Sequence, residues 1–116
     1  MADHVLERQT YAAGARVFSQ GQQGDRAYIV QDGEVEIYRG PEGSETVLGR
    51  LGKGAIFGEM ALLDDAPRMA SARAVSATTV IIVNRSLFQE KLRKTDPFIR
   101  GLLNILAASV RDAHAS

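Results

Sequence analysis

Gly24-Asp25-Arg26-Ala27-Tyr28-Ile29-Val30-Gln31-Asp32-Gly33-Glu34-Val35-Glu36-Ile37-Tyr38 holds two strand signals around a tight-turn signal. Glu34–Tyr38 alternates, with Val35 and Ile37 facing one way and Glu34, Glu36 and Tyr38 the other, the period-two pattern of a half-buried strand. Ala27–Val30 is a short run of β-tolerant residues. Asp32-Gly33 between the two reads as a hairpin turn, because glycine readily takes the positive φ such turns need.

The same rhythm continues on both sides. Val5–Thr10 and Arg16–Ser19 precede the quoted stretch, and Gly40-Pro41-Glu42-Gly43 turns the chain into a strand over Thr46–Leu51. Met69–Val75 and Thr78–Val83 read as further strands, the second a β-branched run suited to a buried position. Ten of the 11 glycines lie between Gly14 and Gly58, where turns recur. The pattern predicts a mainly β fold, an antiparallel β-roll or barrel, over about 5–84.

The last third is helical and almost free of glycine. Ser86-Leu87-Phe88-Gln89 matches a capping box, with Asn84 as a competing cap. Asp96-Pro97 places a capping carboxylate before a proline at the first helical position. Beyond it Phe98, Leu102 and Ile105 line one stripe, and Ile99, Leu103, Leu106 and Val110 the next. Two C-terminal helices are expected over about 86–112, and 1–116 reads as one domain. The apolar face of 97–112 is wider than one small roll requires, which points to a second copy or an effector.

Composition narrows the chemistry. The chain has 116 residues, 14 Lys+Arg against 14 Asp+Glu, no cysteine and only His4 and His114 as histidines. A balanced charge lacks the basic surplus that releases counterions from nucleic acid, so no nucleic-acid partner is expected. Absence of cysteine removes thiol catalysis and thiolate metal sites, and two histidines near opposite ends supply neither a metal centre nor a Ser–His–Asp set. No metal and no cofactor are expected. The N-terminus has no apolar leader core, and Val80–Val83 and Leu102–Val110 fall far short of the roughly 20 residues that span a bilayer. No membrane insertion is expected, and a cytoplasmic location fits.

Gly54-Ala55-Ile56-Phe57-Gly58-Glu59-Met60-Ala61-Leu62-Leu63, followed by Asp64-Asp65-Ala66-Pro67-Arg68-Met69-Ala70-Ser71, breaks the strand rhythm. Gly58 opens a short helix whose free N–H groups suit an anion, and a residue without Cβ lets a ligand approach the backbone. Arg68 returns shortly afterwards with a planar fork of donors that can pair two phosphate oxygens. Glu59 would repel phosphate but can accept from a sugar hydroxyl, so together they suggest a nucleotide. The blander alternatives are an Arg68–Glu59 salt bridge, a solvated loop at Asp64 and Asp65, and an outer helix face for Lys91, Arg93 and Lys94.

Phe57-Gly58-Glu59-x-Ala61-Leu62 followed by Pro67-Arg68-x-Ala70-Ser71 resembles the phosphate-binding cassette of the cyclic nucleotide-binding domain family. Gly21-x-x-Gly24-Asp25-x-x-Tyr28-x-Val30-x-x-Gly33-x-Val35-x-Ile37-Tyr38 is similar to that family's upstream signature, and the likeness runs from about Val5 to Asp112. The resemblance implies that Arg68 pairs the exocyclic phosphate oxygens and Glu59 takes the ribose 2′-OH. Backbone around Gly58, Met60, Ala61, Met69 and Ala70 would complete the cradle, Ile37 and Val47 would wall the base, and Asn104 would reach it from a lid helix. Met69 departs from members with a hydroxyl after the arginine, which favours cyclic AMP over cyclic GMP. The expectation is a non-enzymatic sensor domain whose C-terminal helices move on binding. Its alternatives are a nucleotide-insensitive assembly domain, or a regulatory piece of a longer channel, kinase or transcription factor. DNA reading is not expected within this chain.

Overall fold

The segment around Gly33 folds as a corner between two sheets, not as a hairpin within one. The computed structural model describes residues 7–94, 96–102 and 105–106. Among these, strands run β1 (Glu7–Tyr11), β2 (Arg16–Phe18), β3 (Arg26–Asp32), β4 (Val35–Arg39), β5 (Thr46–Leu51), β6 (Ile56–Phe57), β7 (Ser71–Ala74) and β8 (Thr78–Asn84). They form two antiparallel four-stranded sheets of order β1-β8-β3-β6 and β2-β7-β4-β5. β3 and β4 are thus consecutive in sequence but lie in different sheets. Gly33 turns the chain at φ +98°, and the buried Thr78 hydroxyl holds the corner, accepting from the Glu34 N–H at 3.2 Å and donating to the Ser76 carbonyl at 2.8 Å.

The sheets form the expected antiparallel β-roll without closing into a barrel, and both contribute to one core. Phe18, Val35 and Ala72 from one sheet meet Tyr28, Val30, Phe57, Val80 and Ile82 from the other. The second strand signal of the quoted stretch places Val35 inward as expected, but Glu36 and Tyr38 are also buried. An ionic layer covers them. Arg73 Nη2 lies 2.7 Å from Glu36 and its Nη1 2.8 Å from Glu45, while Arg50 Nε closes on the other Glu36 oxygen at 3.1 Å. The Arg73 guanidinium also lies 4.1 Å over the Tyr38 ring.

The Arg73 hydrogen bonds hold the Glu36 carboxyl below its ordinary value of 4.5, outweighing desolvation. A carboxyl lowered by folding stabilises fully above its unfolded value, and that contribution disappears as pH falls through the lowered one. Below about pH 4.5 the melting temperature should therefore fall in the wild type, and less steeply in Glu36→Gln, in a series of melts at decreasing pH. Parallel curves for the two proteins would refute the assignment.

The helix α1 (Arg85–Arg93) follows β8 directly. Its cap is Asn84, whose Oδ1 accepts from Leu87 N–H at 2.8 Å; the Ser86 capping box is not used. Residues 97–102 and 105–106 are also helical, and Asp96 Oδ1 accepts from Phe98 N–H at 2.8 Å, the expected cap before Pro97. Phe98, Ile99, Leu102, Ile105 and Leu106 are exposed. Among the described residues no helix is long and apolar enough to cross a membrane.

Candidate functional site

A cleft of about 330 Å³ opens between the β4–β5 hairpin and the chain that follows β6. Gly58 leaves β6 at φ +73°, and Glu59–Leu62 form the short helix expected there, a single 3₁₀ turn. Asp64, Ala66 and Pro67 end it quickly: Asp64 Oδ1 accepts from Ala66 N–H at 3.0 Å, and the residue before a proline disfavours helix. Ala61 N–H already reaches Gly58 O at 3.3 Å. Ala61 and Leu62 are buried, which anchors the turn while Glu59 and Met60 line the cleft.

Arg68 is the centre of the site. It is 9% exposed and lines the cleft. Nη1 donates to Gly58 O at 3.0 Å and Nη2 to Arg26 O at 2.9 Å, whereas Nε is buried without a partner. The Phe18 ring supports the guanidinium from 4.1 Å. Two glycines make room for it: a Cβ on Gly24 would come within 2.5 Å of Nε and Nη2, and one on Gly58 within 2.8 Å of Nη1. The main chain is tied in as well, Arg68 N–H to Gln22 O at 2.9 Å and Gly21 N–H to Arg68 O at 2.8 Å.

No ion pair joins Arg68 to Glu59 or to any other carboxylate among the described residues. Burial accordingly pushes the Arg68 guanidinium below its ordinary value, with Tyr28, Asp25 and Glu59 opposing from a distance. A buried cation without a counterion is costly unless something anionic joins it. The salt-bridge reading of Arg68 and Glu59 does not describe this site.

Gly58, Glu59, Met60, Ala61, Arg68, Met69, Ala70 and Ile37 all line the cleft. Val47 does not. A bulge in β5 sets Ile37 opposite Gly49 and Tyr38 opposite Val47, leaving Leu48 as the extra residue, and Leu48 lines the cleft in its place. Asn104 lies outside the described residues. The sequence reading missed Phe18 and Gly24, which shape the Arg68 seat, and Arg39, whose Nε donates to Met69 O at 3.1 Å from the cleft wall. Among the described residues no cluster of His, Cys, Asp or Glu is arranged to hold a metal.

The profile of the cyclic nucleotide-binding domain matches residues 8–95. The cyclic AMP receptor protein of Thermus thermophilus is 36% identical over 114 residues, 97% of this chain and 53% of that protein. A cAMP-dependent protein kinase regulatory subunit of Mycosarcoma maydis is 42% identical over 73 residues, 63% of this chain and 14% of its own length. The cAMP-bound form of the EAL enzyme Bd1971 superposes with a TM-score of 0.82 at 36% identity, over 92% of this chain and 29% of that one. Its cGMP-bound form gives 0.83 at 34% identity, with the same coverage.

Proposed function

The chain belongs to the cyclic nucleotide-binding domain family, and from that premise we propose that it is a cyclic AMP sensor domain with no catalytic activity of its own. The observation that carries this reading is Arg68, a buried guanidinium without a counterion, facing a cleft that also holds Glu59. A cyclic nucleotide supplies one singly charged phosphate for the arginine and one ribose hydroxyl for the carboxylate. The apolar wall of Ile37, Leu48 and Leu51 suits the base. Met69 offers no hydroxyl donor to a guanine, which favours cyclic AMP.

Binding acts as a population shift, driven only by the ligand's differential affinity for two arrangements. Phosphate capture draws the 58–68 segment inward, Leu62 follows as the buried end of the 3₁₀ turn, and α1 with the helical residues beyond it repositions. The exposed apolar side chains of Phe98, Ile99, Leu102, Ile105 and Leu106 are the surface that closes over the base, with Asn104 as its polar contact, or that meets an effector. The chain spans about half of the cyclic AMP receptor protein it matches, so a parent protein carrying the output domain is part of the same reading. It places the domain in the cytoplasm.

Thermal melts with each nucleotide test the reading. Cyclic AMP at 100 times its dissociation constant should stabilise the fold by about 2.7 kcal/mol, and cyclic GMP at the same concentration by less. No shift with either nucleotide would identify a nucleotide-insensitive assembly domain instead.

A further inference from the structure

The geometry points to Arg85 as a positioning residue for cyclic nucleotide binding, a clamp that fixes the 58–68 segment and the Gly24 turn to the start of α1; this rests on the sensor reading above. Arg85 Nε donates to Ala61 O at 2.8 Å, and Nη2 donates to Asp64 O at 2.8 Å and to Gly24 O at 3.3 Å. Nη1 pairs with the Asp65 carboxylate, and the Arg85 main-chain N–H donates to Asp25 O at 2.7 Å. One residue thus ties together three segments distant in sequence.

The chemistry of these acceptors says what the clamp does. Ala61 lies in the last part of the 3₁₀ turn and Asp64 two residues past its end, where a longer helix would have supplied main-chain donors to such carbonyls. A planar fork of five donors can reach two such carbonyls at once, which a lysine ammonium on its flexible stem cannot do with the same geometry. The Asp65 pair is peripheral: the Asp65 side chain is 88% exposed against 25% for Arg85, so it contributes little. Gly24 and Gly58 flank the Arg68 guanidinium. Arg85 grips Gly24 directly and Gly58 through the turn that follows it, and so sets the width of the Arg68 seat. Because Arg85 is also the first residue of α1, displacement of the segment reaches the helix without an intermediary.

Calorimetric titration of cyclic AMP into wild type, Arg85→Ala, Arg85→Lys and Val80→Ala tests this. Val80→Ala, a core truncation outside the cleft, controls for stability alone. Arg85→Ala should weaken binding at least tenfold and Arg85→Lys by a smaller factor, while Val80→Ala stays within twofold despite an equal or larger loss in melting temperature. Equal weakening by Arg85→Ala and Val80→Ala would overturn the clamp. Hydrogen exchange without ligand separates this inference from the sensor reading. In Arg85→Ala, or in Arg85→Lys if the alanine variant does not fold, the Leu63 and Asp64 amides should exchange severalfold faster while those of β3 and β8 are unchanged. Unaltered Leu63 and Asp64 exchange would overturn the clamp even in a protein that binds no nucleotide.

Discussion

Arg68→Met is expected to weaken cyclic AMP binding by at least about 30-fold while leaving the melting temperature of the free protein within a few degrees of wild type. The two halves of that result have separate causes. Removing the partner of a desolvated phosphate costs at least about 2 kcal/mol, roughly a 30-fold loss of affinity. In the free protein the substitution deletes two hydrogen bonds to carbonyls, at about 1 kcal/mol each, and one stacked contact with Phe18. It also relieves the burial of a charge that has no counterion and of an Nε without a partner. Methionine fills much of the space and adapts to irregular surroundings. Opposed terms of similar size leave little net change. Calorimetric titration and differential scanning calorimetry on the same preparation check both halves, and retained affinity would remove Arg68 from the binding role.

The largest loss of stability is expected from Gly33→Ala. A Cβ at this position would lie 2.6 Å from Ala77 O and 2.7 Å from Thr78 Cα, both main chain, and 2.5 Å from Thr78 Oγ1. The backbone there stands at φ +98°, where an L side chain is strained even in open space. Thr78 is fully buried, so the neighbour cannot withdraw. The cost should be about 3 kcal/mol or more, against a total stability of roughly 5–15 kcal/mol for a small domain. Each kcal/mol lowers the melting temperature of a domain this size by about 4–8 °C. Gly43→Ala is the informative comparison. Its φ is +89° but nothing lies within 4 Å of the added carbon, so only the conformational cost of about 1–2 kcal/mol remains. Similar melting temperatures for the two variants would show that the Gly33 corner yields.

Features carried by adjacent residues were legible in the sequence. β4 and β8 announced themselves by alternation or β-branching and β5 by the turn before it, and Gly58, Glu59 and Arg68 sit within one short stretch whose chemistry converges on an anion. Features set by distant partners were not. Asp32-Gly33 specifies a turn conformation, yet whether the strands on either side pair with each other depends on β6, β7 and β8. Glu36 looked like a solvent-facing residue because the arginines that cover it lie 14 and 37 positions away. β6 has two residues, too few for any period to show. The β5 bulge exchanges Val47 for Leu48 through its register against β4. Phe18 and Gly24 touch Arg68 only through the fold.

The aromatic cluster beneath the cleft has an optical consequence. Tyr28 stacks on Phe57 at 5.2 Å between centroids, Phe18 completes the group, and the Arg68 guanidinium stands 5.9 Å from the Tyr28 ring. Burial raises the Tyr28 phenol above its ordinary value, so it stays neutral through the physiological range. The chain has no tryptophan and three tyrosines. Its near-ultraviolet emission and dichroism therefore come from very few chromophores, and one of them lies 5.9 Å from the charged group at the centre of the site. The protein contains its own spectroscopic reporter, placed where no label could be attached without disturbing the packing.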